Sequence, residues 1–386
     1  MVKLICYNIC GSDIMQLNKI KLVNFRNYKN LDLSFEKNIN IFIGDNAQGK
    51  TNLLESIYVM AISKSHRMFI DNNLIKKDEL YTKIKGTLLS NNRTTDLELL
   101  INIKGKSVKI NNKIIKKTSD YISKCTVIIF TPDDLEIVKG SPGIRRKFLN
   151  IEIGQLNNKY LNVLNDYNFL VKTKNDYLKK ITKETLDINY LDILNEQLIN
   201  KAIIIYKYRN EFMEKVSENA KKIYKDLTNE NNLLIKYNPN IEFDYFDQEQ
   251  ISNSMKEKFK KNVQREVLQG MSLYGPHRDD FKFFIKNNEI KEYGSQGQHR
   301  LAVLCLKLGE IEMFKESKNE YPILLLDDIF SELDENKKNN IIKYIKNDIQ
   351  TFITTTDLNN INKNLLKNAD IFKIKEGNLI KKEKNN

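Results

Sequence analysis

The sequence contains few of the residues that build disulfide frameworks and zinc sites. Among its 386 residues are four cysteines and three histidines. Four cysteines are too few for a disulfide framework in a chain of this length, and the histidines do not fall at zinc-ligand spacing. A disulfide-rich scaffold and a zinc-stabilised fold are therefore excluded, and any metal is expected to come with a ligand.

Long apolar runs are missing as well. The longest ones, residues 127–130 and 323–326, fall far below the roughly 20 apolar residues of a membrane-spanning helix. Residues 1–14 lack the continuous apolar core and cleavage site of a secretory signal. We therefore expect a cytoplasmic protein without a membrane partner, in keeping with its mean hydropathy of −0.50.

The net charge of +13 is concentrated in one part of the chain. Lysine and arginine exceed aspartate and glutamate by 11 in residues 1–150, but by only one in 151–270 and by one in 271–386. A coding bias toward lysine would spread this excess evenly, whereas a nucleic-acid-binding face concentrates it. The distribution favours a nucleic-acid-binding surface in the first segment.

Alternating apolar residues mark strands at both ends of the chain. They predict three strands within 16–43 and further strands at 83–89, 96–103, 106–110, 126–130, 281–285, 323–326 and 351–355. Helical spacing of apolar residues predicts helices at 52–62, 298–314 and 335–346. The fold class is therefore α/β.

The middle of the chain has a different pattern. Residues 151–227 carry an apolar residue every three or four positions with almost no glycine or proline, which predicts helices. The longest candidate, 190–227, would reach only roughly 57 Å at 1.5 Å per residue, and its heptads are not sustained, so we expect a compact lobe. The predicted division is an N-terminal extension (1–14), a discontinuous head (15–150 and 271–386) and a mainly helical insert (151–270).

One glycine-containing segment fits the P-loop pattern G-x-x-x-x-G-K-[ST] between a predicted strand and a predicted helix. Its residues are Gly44, Asp45, Asn46, Ala47, Gln48, Gly49, Lys50 and Thr51. In such loops the backbone N–H groups and the helix N-terminus surround phosphates, the lysine reaches the β- and γ-phosphates, and the threonine hydroxyl binds Mg²⁺. With only 14 glycines in the chain, a chance match is on the order of one in a hundred.

Two carboxylates follow the buried strand predicted at 323–326. Ligands of parallel sheets bind at the carboxyl ends of the strands, which is where Asp327 and Asp328 stand. Asp327 is predicted to hold Mg²⁺, and Asp328 to act as the catalytic carboxylate that polarises the attacking water. Taken alone, the pair is equally compatible with a helix cap.

A small polar turn precedes the predicted helix 298–314. It contains Ser295, Gln296, Gly297 and Gln298, and by itself it indicates only a helix N-cap at Ser295 or Gln296. Placed before the carboxylate strand, it resembles the signature motif of the ATP-binding-cassette superfamily. That resemblance implies that these residues bind the γ-phosphate of ATP held by a second copy, and that residues 331–334 form the cross-subunit loop.

The motifs together resemble the RecF family of bacterial recombination and repair proteins, which are related to the heads of SMC ATPases. The resemblance runs from Met15 to about Lys375, and it rests on residues 20–28, 44–54, 65–67, 130–135, 140–149, 274–280, 294–300 and 325–334. It implies an ATP-binding-cassette head with mixed and parallel sheets and an inserted α-helical lobe.

The resemblance also implies a function. RecF-like proteins dimerise on ATP with Mg²⁺, bind single-stranded DNA and its junctions with duplex DNA, and hydrolyse ATP slowly. They act with RecR and RecO to help RecA load during gap repair, SOS induction and replication restart. Arg145 and Arg146, at the start of a predicted helix after Pro142, are candidates for phosphate contact, either with DNA or across the dimer. Arg67 is a further predicted DNA contact, and Arg26, near the end of the first strand, is a predicted nucleotide contact.

Two features depart from related ATPases. Residues 1–14 have no counterpart in the family, so Met15 looks like the natural start. Many cassette ATPases have glutamate at the position of Asp328 and a histidine after the last strand, where this sequence has Thr356 and Asp357. The shorter carboxylate predicts slow turnover, and we expect Thr356 or Asp357 to sense the γ-phosphate.

Three alternative functions share the nucleotide chemistry. A transporter-associated ATPase would have membrane partners, and the helical insert and the variant signature argue against it. An SMC-type tether needs long coiled coils, which an insert of about 120 residues does not supply. A P-loop nucleotide kinase needs no signature turn, and 386 residues are more than a kinase fold requires.

Overall fold

The computed structural model describes residues 14–67, 70–181, 186–243, 245–331, 335–345 and 348–384. The chain divides into two compact units. Unit 1 comprises residues 1–132 and 314–386, and unit 2 comprises residues 133–313. Within the described residues, no helix is long and apolar enough to span a bilayer.

The strands of the described residues are β1 (Gln16–Phe25), β2 (Tyr28–Ser34), β3 (Ile39–Ile43), β4 (Tyr81–Ser90), β5 (Arg93–Asn102), β6 (Gly105–Ile110), β7 (Lys113–Ile115), β8 (Val127–Phe130), β9 (Leu233–Asn238), β10 (Asp280–Ile285), β11 (Asn288–Glu289), β12 (Ile323–Asp327), β13 (Thr351–Thr355), β14 (Ala369–Lys375) and β15 (Asn378–Lys384). The α-helices are α1 (Lys50–Ile62), α2 (Thr118–Ile122), α3 (Glu136–Lys139), α4 (Pro142–Leu156), α5 (Asn158–Lys180), α6 (Ile188–Thr228), α7 (Gln248–Gln269), α8 (Ile290–Tyr293), α9 (Gln296–Lys318), α10 (Glu335–Tyr344) and α11 (Lys363–Lys367).

Unit 1 contains an antiparallel sheet with the strand order β2-β1-β4-β5-β6-β7. Its strands bury alternate residues, as in β2, where Leu31 and Leu33 are buried and Asp32 is exposed. The hairpin between β6 and β7 turns at Asn111 and Asn112, which both have positive φ, as two-residue hairpin turns require. One face of this sheet is therefore apolar and the other is polar.

The second sheet of unit 1 has the order β15-β14-β3-β13-β12-β8. Strands β8, β12, β13, β3 and β14 run parallel, and β15 pairs antiparallel with β14. Every residue of β12 and β13 is buried, which is typical of parallel strands covered on both faces. The carboxyl ends of β3, β12 and β13 therefore meet at one edge of the sheet.

Unit 2 is mainly helical around a small sheet of order β11-β10-β9. Its longest helix, α6, has 41 residues and a buried stripe that includes Leu198, Ala202 and Val216. Asp187 and Asn229 stand at the ends of α6, where Asp187 accepts a hydrogen bond from the Tyr190 N–H and Asn229 adopts the left-handed conformation.

The structure confirms the α/β class and the predicted strands and helices in position, to within a few residues at each end. Strands β7, β9, β11, β14 and β15, helix α7 and the short helices α2, α3, α8 and α11 are not predicted from the sequence. Strand β9 lies within the predicted insert, yet it pairs with β10 from the predicted head. Unit 2 begins after residue 132 and ends at residue 313. The predicted helical insert begins after residue 150 and ends at residue 270.

Candidate functional site

The P-loop residues lie between β3 and α1, as the sequence predicts. Asp45, Asn46 and Ala47 are exposed at the outside of the loop. Gly49 has a φ of +111°, and a Cβ atom there would stand 2.5 Å from Asn27 Nδ2, so a side chain is excluded by both conformation and space. Gly44 is required for space, since its Cβ atom would lie 2.3 Å from the Ile374 carbonyl oxygen.

Two other turns of unit 1 hold this loop. The Tyr28 hydroxyl, after the turn between β1 and β2, donates to the Gly49 carbonyl oxygen at 2.9 Å. From the turn between β14 and β15, the Gly377 N–H donates to the Gln48 carbonyl oxygen at 3.0 Å, and the Glu376 N–H donates to Gln48 Oε1 at 2.7 Å. These bonds fix the loop backbone from both sides.

Lys50 begins α1 and is 7% exposed. Its Nζ donates to the Asp45 carbonyl oxygen at 2.8 Å. Burial lowers the pKa of Lys50, and the nearby carboxylates of Asp328 and Asp327 partly offset this effect. Lys50 is thus a largely buried cation at the P-loop, where it can bind an anion.

Three oxygen atoms meet at the carboxyl edge of the parallel sheet. Thr51 Oγ1 donates to Asp327 Oδ1 at 2.9 Å, and Thr354 Oγ1 donates to the same oxygen at 2.8 Å. Burial raises the pKa of Asp327, while the hydroxyl groups of Thr354 and Thr51 oppose that rise. A carboxylate and two hydroxyls form the oxygen-rich environment that Mg²⁺ prefers.

Asp328 follows directly and has an unusual backbone. Its φ is +50°, in the left-handed region that aspartate tolerates better than most residues. Its N–H donates to Thr354 Oγ1 at 2.9 Å, so Thr354 contacts both aspartates. Backbone strain of this kind is often found at functional sites.

Arg26 contacts α1 through Glu55. Its guanidinium donates two hydrogen bonds to the carboxylate of Glu55, at 2.9 and 2.8 Å, and Ser65 donates a third at 2.5 Å. Burial alone would raise the pKa of Glu55, but the bonds from Arg26 and Ser65 hold it below its usual value. The predicted proximity of Arg26 to nucleotide stays a prediction, since this arginine is engaged with Glu55.

Arg67 is exposed on the segment after α1. Its Nη1 donates to Asn52 Oδ1 at 3.4 Å, and its charge partly opposes the rise in the pKa of Asp327 that burial causes. The structure therefore places Arg67 near Asp327, at the carboxyl edge of the parallel sheet of unit 1.

The turn before α9 in unit 2 is a capping box. Ser295 Oγ accepts a hydrogen bond from the Gln298 N–H at 3.3 Å, and the Ser295 N–H donates to Gln298 Oε1 at 2.8 Å. This geometry makes Ser295 the N-cap. Ser295, Gln296 and Gly297 are exposed, and a Cβ atom on Gly297 would meet only Ser295 Oγ within 4 Å. A ligand can therefore approach this helix N-terminus closely.

Arg145 and Arg146 lie in the first turns of α4, in unit 2. Arg145 is 4% exposed, and it donates to both Asp280 oxygens and to carbonyl oxygens of residues 137, 138 and 140. Arg146 donates to the Asp279 carbonyl oxygen at 2.8 Å and is half-buried. DNA contact by these arginines stays a prediction, and the burial of Arg145 counts against it.

The segment 274–280 has a structural role in unit 2. The Tyr167 hydroxyl oxygen lies 2.7 Å from His277 Nδ1, and His277 Nε2 lies 3.1 Å from the Ser272 carbonyl oxygen. Asp279 is fully buried and pairs with Arg209 at 2.6 Å. The histidine is thus held by structural hydrogen bonds.

Two predictions concern other loops. Most of the predicted cross-subunit loop, 332–334, lies outside the described residues. Thr356 is exposed beyond the carboxyl end of β13, and the Asp357 carboxylate accepts the Asn359 N–H at 2.9 Å. A γ-phosphate sensor at either residue stays a prediction.

Thr354 is the site residue that sequence reasoning missed. It is the next-to-last residue of β13, which neighbours β12 in the sheet, and adjacent parallel strands end at the same edge. The run Thr354-Thr355-Thr356 offers three hydroxyls, and only the register of the strands shows which one faces Asp327.

Comparisons with known proteins agree on one family. The family profile of the RecF/RecN/SMC N terminal domain matches residues 16–379. The DNA replication and repair protein RecF of Staphylococcus aureus (strain JH9) is 41% identical over 370 residues, covering 95% of this chain and 100% of the relative.

Solved structures give the same result. That of the recombination mediator protein RecF-ATP in the RecFOR pathway matches with a TM-score of 0.90 and 33% identity, covering 98% of this chain and 100% of that chain. An Smc head domain from Pyrococcus furiosus matches with a TM-score of 0.52 and 15% identity, over 95% of each chain, which shows a shared fold. The chain therefore belongs to the RecF family of DNA replication and repair proteins.

Proposed function

We propose that this protein is an ATP-dependent DNA-binding recombination mediator of the RecFOR type, which dimerises on ATP and hydrolyses it slowly. The observation that carries the proposal is the convergence of Thr51 and Thr354 on one oxygen of Asp327. It joins the P-loop to the carboxylate strand, as nucleotide chemistry requires.

The residues present fit ATP and Mg²⁺. The Gly44–Gly49 loop leaves no space for side chains at its two glycines, and Lys50 supplies the cation for the phosphates. Thr51 and Asp327 would hold the metal, which in such sites neutralises charge on the transferred phosphoryl group. The resemblance to a structure named RecF-ATP supports the same cofactor.

Asp328 is the proposed catalytic carboxylate. It directly follows Asp327, which is proposed to hold the metal, and its backbone is fixed by its hydrogen bond to Thr354. An aspartate is one methylene shorter than glutamate, so it reaches less far toward an attacking water. This favours slow hydrolysis and a switch-like use of ATP.

A second copy would complete the site. The exposed N-terminus of α9 carries Ser295, Gln296, Gly297 and Gln298, and helix N-termini bind anions through their N–H groups and dipole. In the proposed dimer this turn contacts the γ-phosphate bound to the other copy. The dimer would thus form only with nucleotide bound.

The DNA and protein partners follow from family membership and charge. The excess of 11 basic residues in the first 150 supports DNA binding, at single strands and at junctions with duplex DNA. RecR, with RecO, is the proposed protein partner, and RecA loading in gap repair, SOS induction and replication restart is the proposed outcome. The proposed location is the cytoplasm, at the nucleoid.

The test is fluorescence anisotropy on a gapped DNA, with and without ATP and Mg²⁺, across a salt series. We expect log affinity to fall linearly with log salt, and ATP to tighten binding. Absence of DNA binding under every condition would contradict the proposed function.

The matched variant is Ser295→Arg, which places a bulky cation at the exposed turn of unit 2 and leaves the P-loop intact. It should bind ATP as tightly as the wild type and yet remain monomeric in analytical ultracentrifugation with ATP. A normal ATP-dependent dimer in this variant contradicts the shared site.

A further inference from the structure

Two groups of lysines on the antiparallel sheet of unit 1 differ in their partners. The first group comprises five lysines on its polar face, each tied to a carboxylate of a neighbouring strand. The pairs are Lys19–Asp32, Lys21–Asp32, Lys83–Glu98, Lys85–Asp96 and Lys109–Glu98, at 2.8 to 3.5 Å. A lysine held in this way is already neutralised, so it contributes little net attraction to a polyanion.

The second group lies at the edge of the same sheet. Lys113, Lys116 and Lys117, here called the edge lysines, belong to strand β7 and to the two residues after Ile115. All three are exposed. Across the part of the chain that the structure describes, none of them forms an ion pair with a carboxylate.

The edge is also accessible. Strand β7 is the last strand in the order β2-β1-β4-β5-β6-β7, and it pairs with β6 on its other side. Ile114, between Lys113 and Lys116 in the chain, is 71% exposed. Three unpaired cations and an apolar side chain therefore share one open margin of the sheet.

We propose that the edge lysines of β7 bind the phosphate backbone of DNA, whereas the polar face of the sheet does not. This inference rests on the proposed DNA-binding function and assigns that function to particular residues. It differs from the sequence prediction, which named arginines at 67, 145 and 146.

The spacing of the edge lysines suits a nucleic-acid backbone. From Lys113 to Lys117 the chain spans at most about 13 Å at 3.3 Å per residue. Phosphates of one DNA strand recur about every 3.4 Å along the axis, so the edge can follow several successive nucleotides. Phosphate contacts of this kind position the protein without reading base sequence.

The experiment compares two triple variants with the same change in charge. The test variant is Lys113→Gln/Lys116→Gln/Lys117→Gln, and the control is Lys19→Gln/Lys21→Gln/Lys85→Gln on the polar face. Both sets of side chains are at the surface, so both variants should fold. Anisotropy is measured with ATP and Mg²⁺ on duplex and on single-stranded oligonucleotides over a salt series.

In the test variant we expect the slope of log affinity against log salt to become shallower by about 2.7 on duplex DNA, or about 2.1 on single strands, for three lost phosphates. The affinity near 0.1 M salt should fall at least about tenfold. The control should lose less than about one unit of slope. Replacing the three edge lysines with arginine should preserve wild-type binding.

Each outcome decides the inference. Equal losses in the test and control variants would mean that only net charge matters, and the assignment to β7 would be wrong while DNA binding stands. A test variant that binds DNA as the wild type does would also show that the assignment to β7 is wrong. If the wild type itself binds neither DNA, the proposed function fails and this inference fails with it.

Discussion

Two of the adjacent aspartate pairs in this protein, Asp279–Asp280 in unit 2 and Asp327–Asp328 in unit 1, have opposite surroundings. In unit 2, Asp279 accepts hydrogen bonds from Arg209 at 2.6 Å and from the Tyr237 hydroxyl at 2.5 Å, and Asp280 pairs with Arg145. In unit 1, Asp327 accepts hydrogen bonds from the hydroxyls of Thr51 and Thr354.

The partners decide what each pair can do. Arginine neutralises the charge of Asp279 and Asp280, so these carboxylates hold the fold together. The threonine hydroxyls orient Asp327 without neutralising it, so its charge remains available for a metal ion. The same dipeptide therefore has a structural role in unit 2, where arginines pair with both carboxylates, whereas in unit 1 hydroxyl donors leave Asp327 suited to the proposed metal ion.

The largest expected effect is on the unit 2 pair. Asp279→Asn leaves Arg209, which is 1% exposed, as a buried charge without its carboxylate. We expect the free energy of unfolding to fall by about 3–5 kcal/mol, measured by urea denaturation. Asp280→Asn is the matched control and should lose less, since its side chain is 15% exposed. A loss below about 1 kcal/mol in Asp279→Asn would contradict a structural role.

A second prediction concerns the cation that faces the unit 1 pair. Lys50→Ala removes charge-assisted hydrogen bonds to phosphate worth about 1.5–3 kcal/mol, so ATP binding should weaken by about 10- to 100-fold. Isothermal titration calorimetry measures this change. The unfolding free energy should stay within about 1 kcal/mol of the wild type, since Lys50 bonds only a loop carbonyl in the described structure. Unaltered ATP affinity would remove Lys50 from the site.

A third prediction uses acid to weaken unit 2 selectively. Burial lowers the pKa of His277 to about 4, whereas an unfolded histidine titrates near 6.5. The unfolded chain therefore binds this proton first, and stability falls as pH drops from about 6.5 toward 4, by roughly 3 kcal/mol in total. In His277→Gln, urea unfolding between pH 7.5 and 4.5 should show a smaller loss than in the wild type. Parallel curves for the two proteins would mean that His277 does not titrate in this window.

The smallest expected change in stability concerns Asp327 of the unit 1 pair. The pKa of Asp327 is raised, chiefly by burial, so its ionised form destabilises the folded state at neutral pH. Asp327→Asn should therefore leave the unfolding free energy unchanged or raise it by about 1 kcal/mol, while Mg²⁺-dependent ATPase activity is lost. Clear destabilisation at pH 7.5 without nucleotide would place Asp327 among the structural carboxylates.

Much of the fold was predictable because local patterns carry it. The strand, glycine loop and helix at residues 39–62 depend on alternation, glycine positions and helical spacing, all within about 25 residues. The capping box at Ser295 and Gln298 is local in the same way. These features do not require knowledge of distant contacts.

The rest depends on contacts between distant segments. Pairing of β9 with β10 joins residues about 45 apart, and the apolar pattern of β9 does not specify its partner. Arg145 looked like a phosphate ligand because an arginine at a helix start is usually exposed, and only the fold brings Asp280 to it. Likewise Thr354 became visible only through strand register.

The turn between β14 and β15 adds a consequence for synthesis. It binds the P-loop residue Gln48 through Glu376, 328 positions later in the chain, and β14 pairs directly with β3. At roughly 5–20 residues per second, a ribosome makes β14 and β15 about 15–70 s after β3. During that interval β3 lacks its neighbours and the loop lacks its bracing, so a nascent chain should acquire nucleotide affinity only at the end of translation. Chaperone contact with β3 is therefore expected to persist until the final strands emerge.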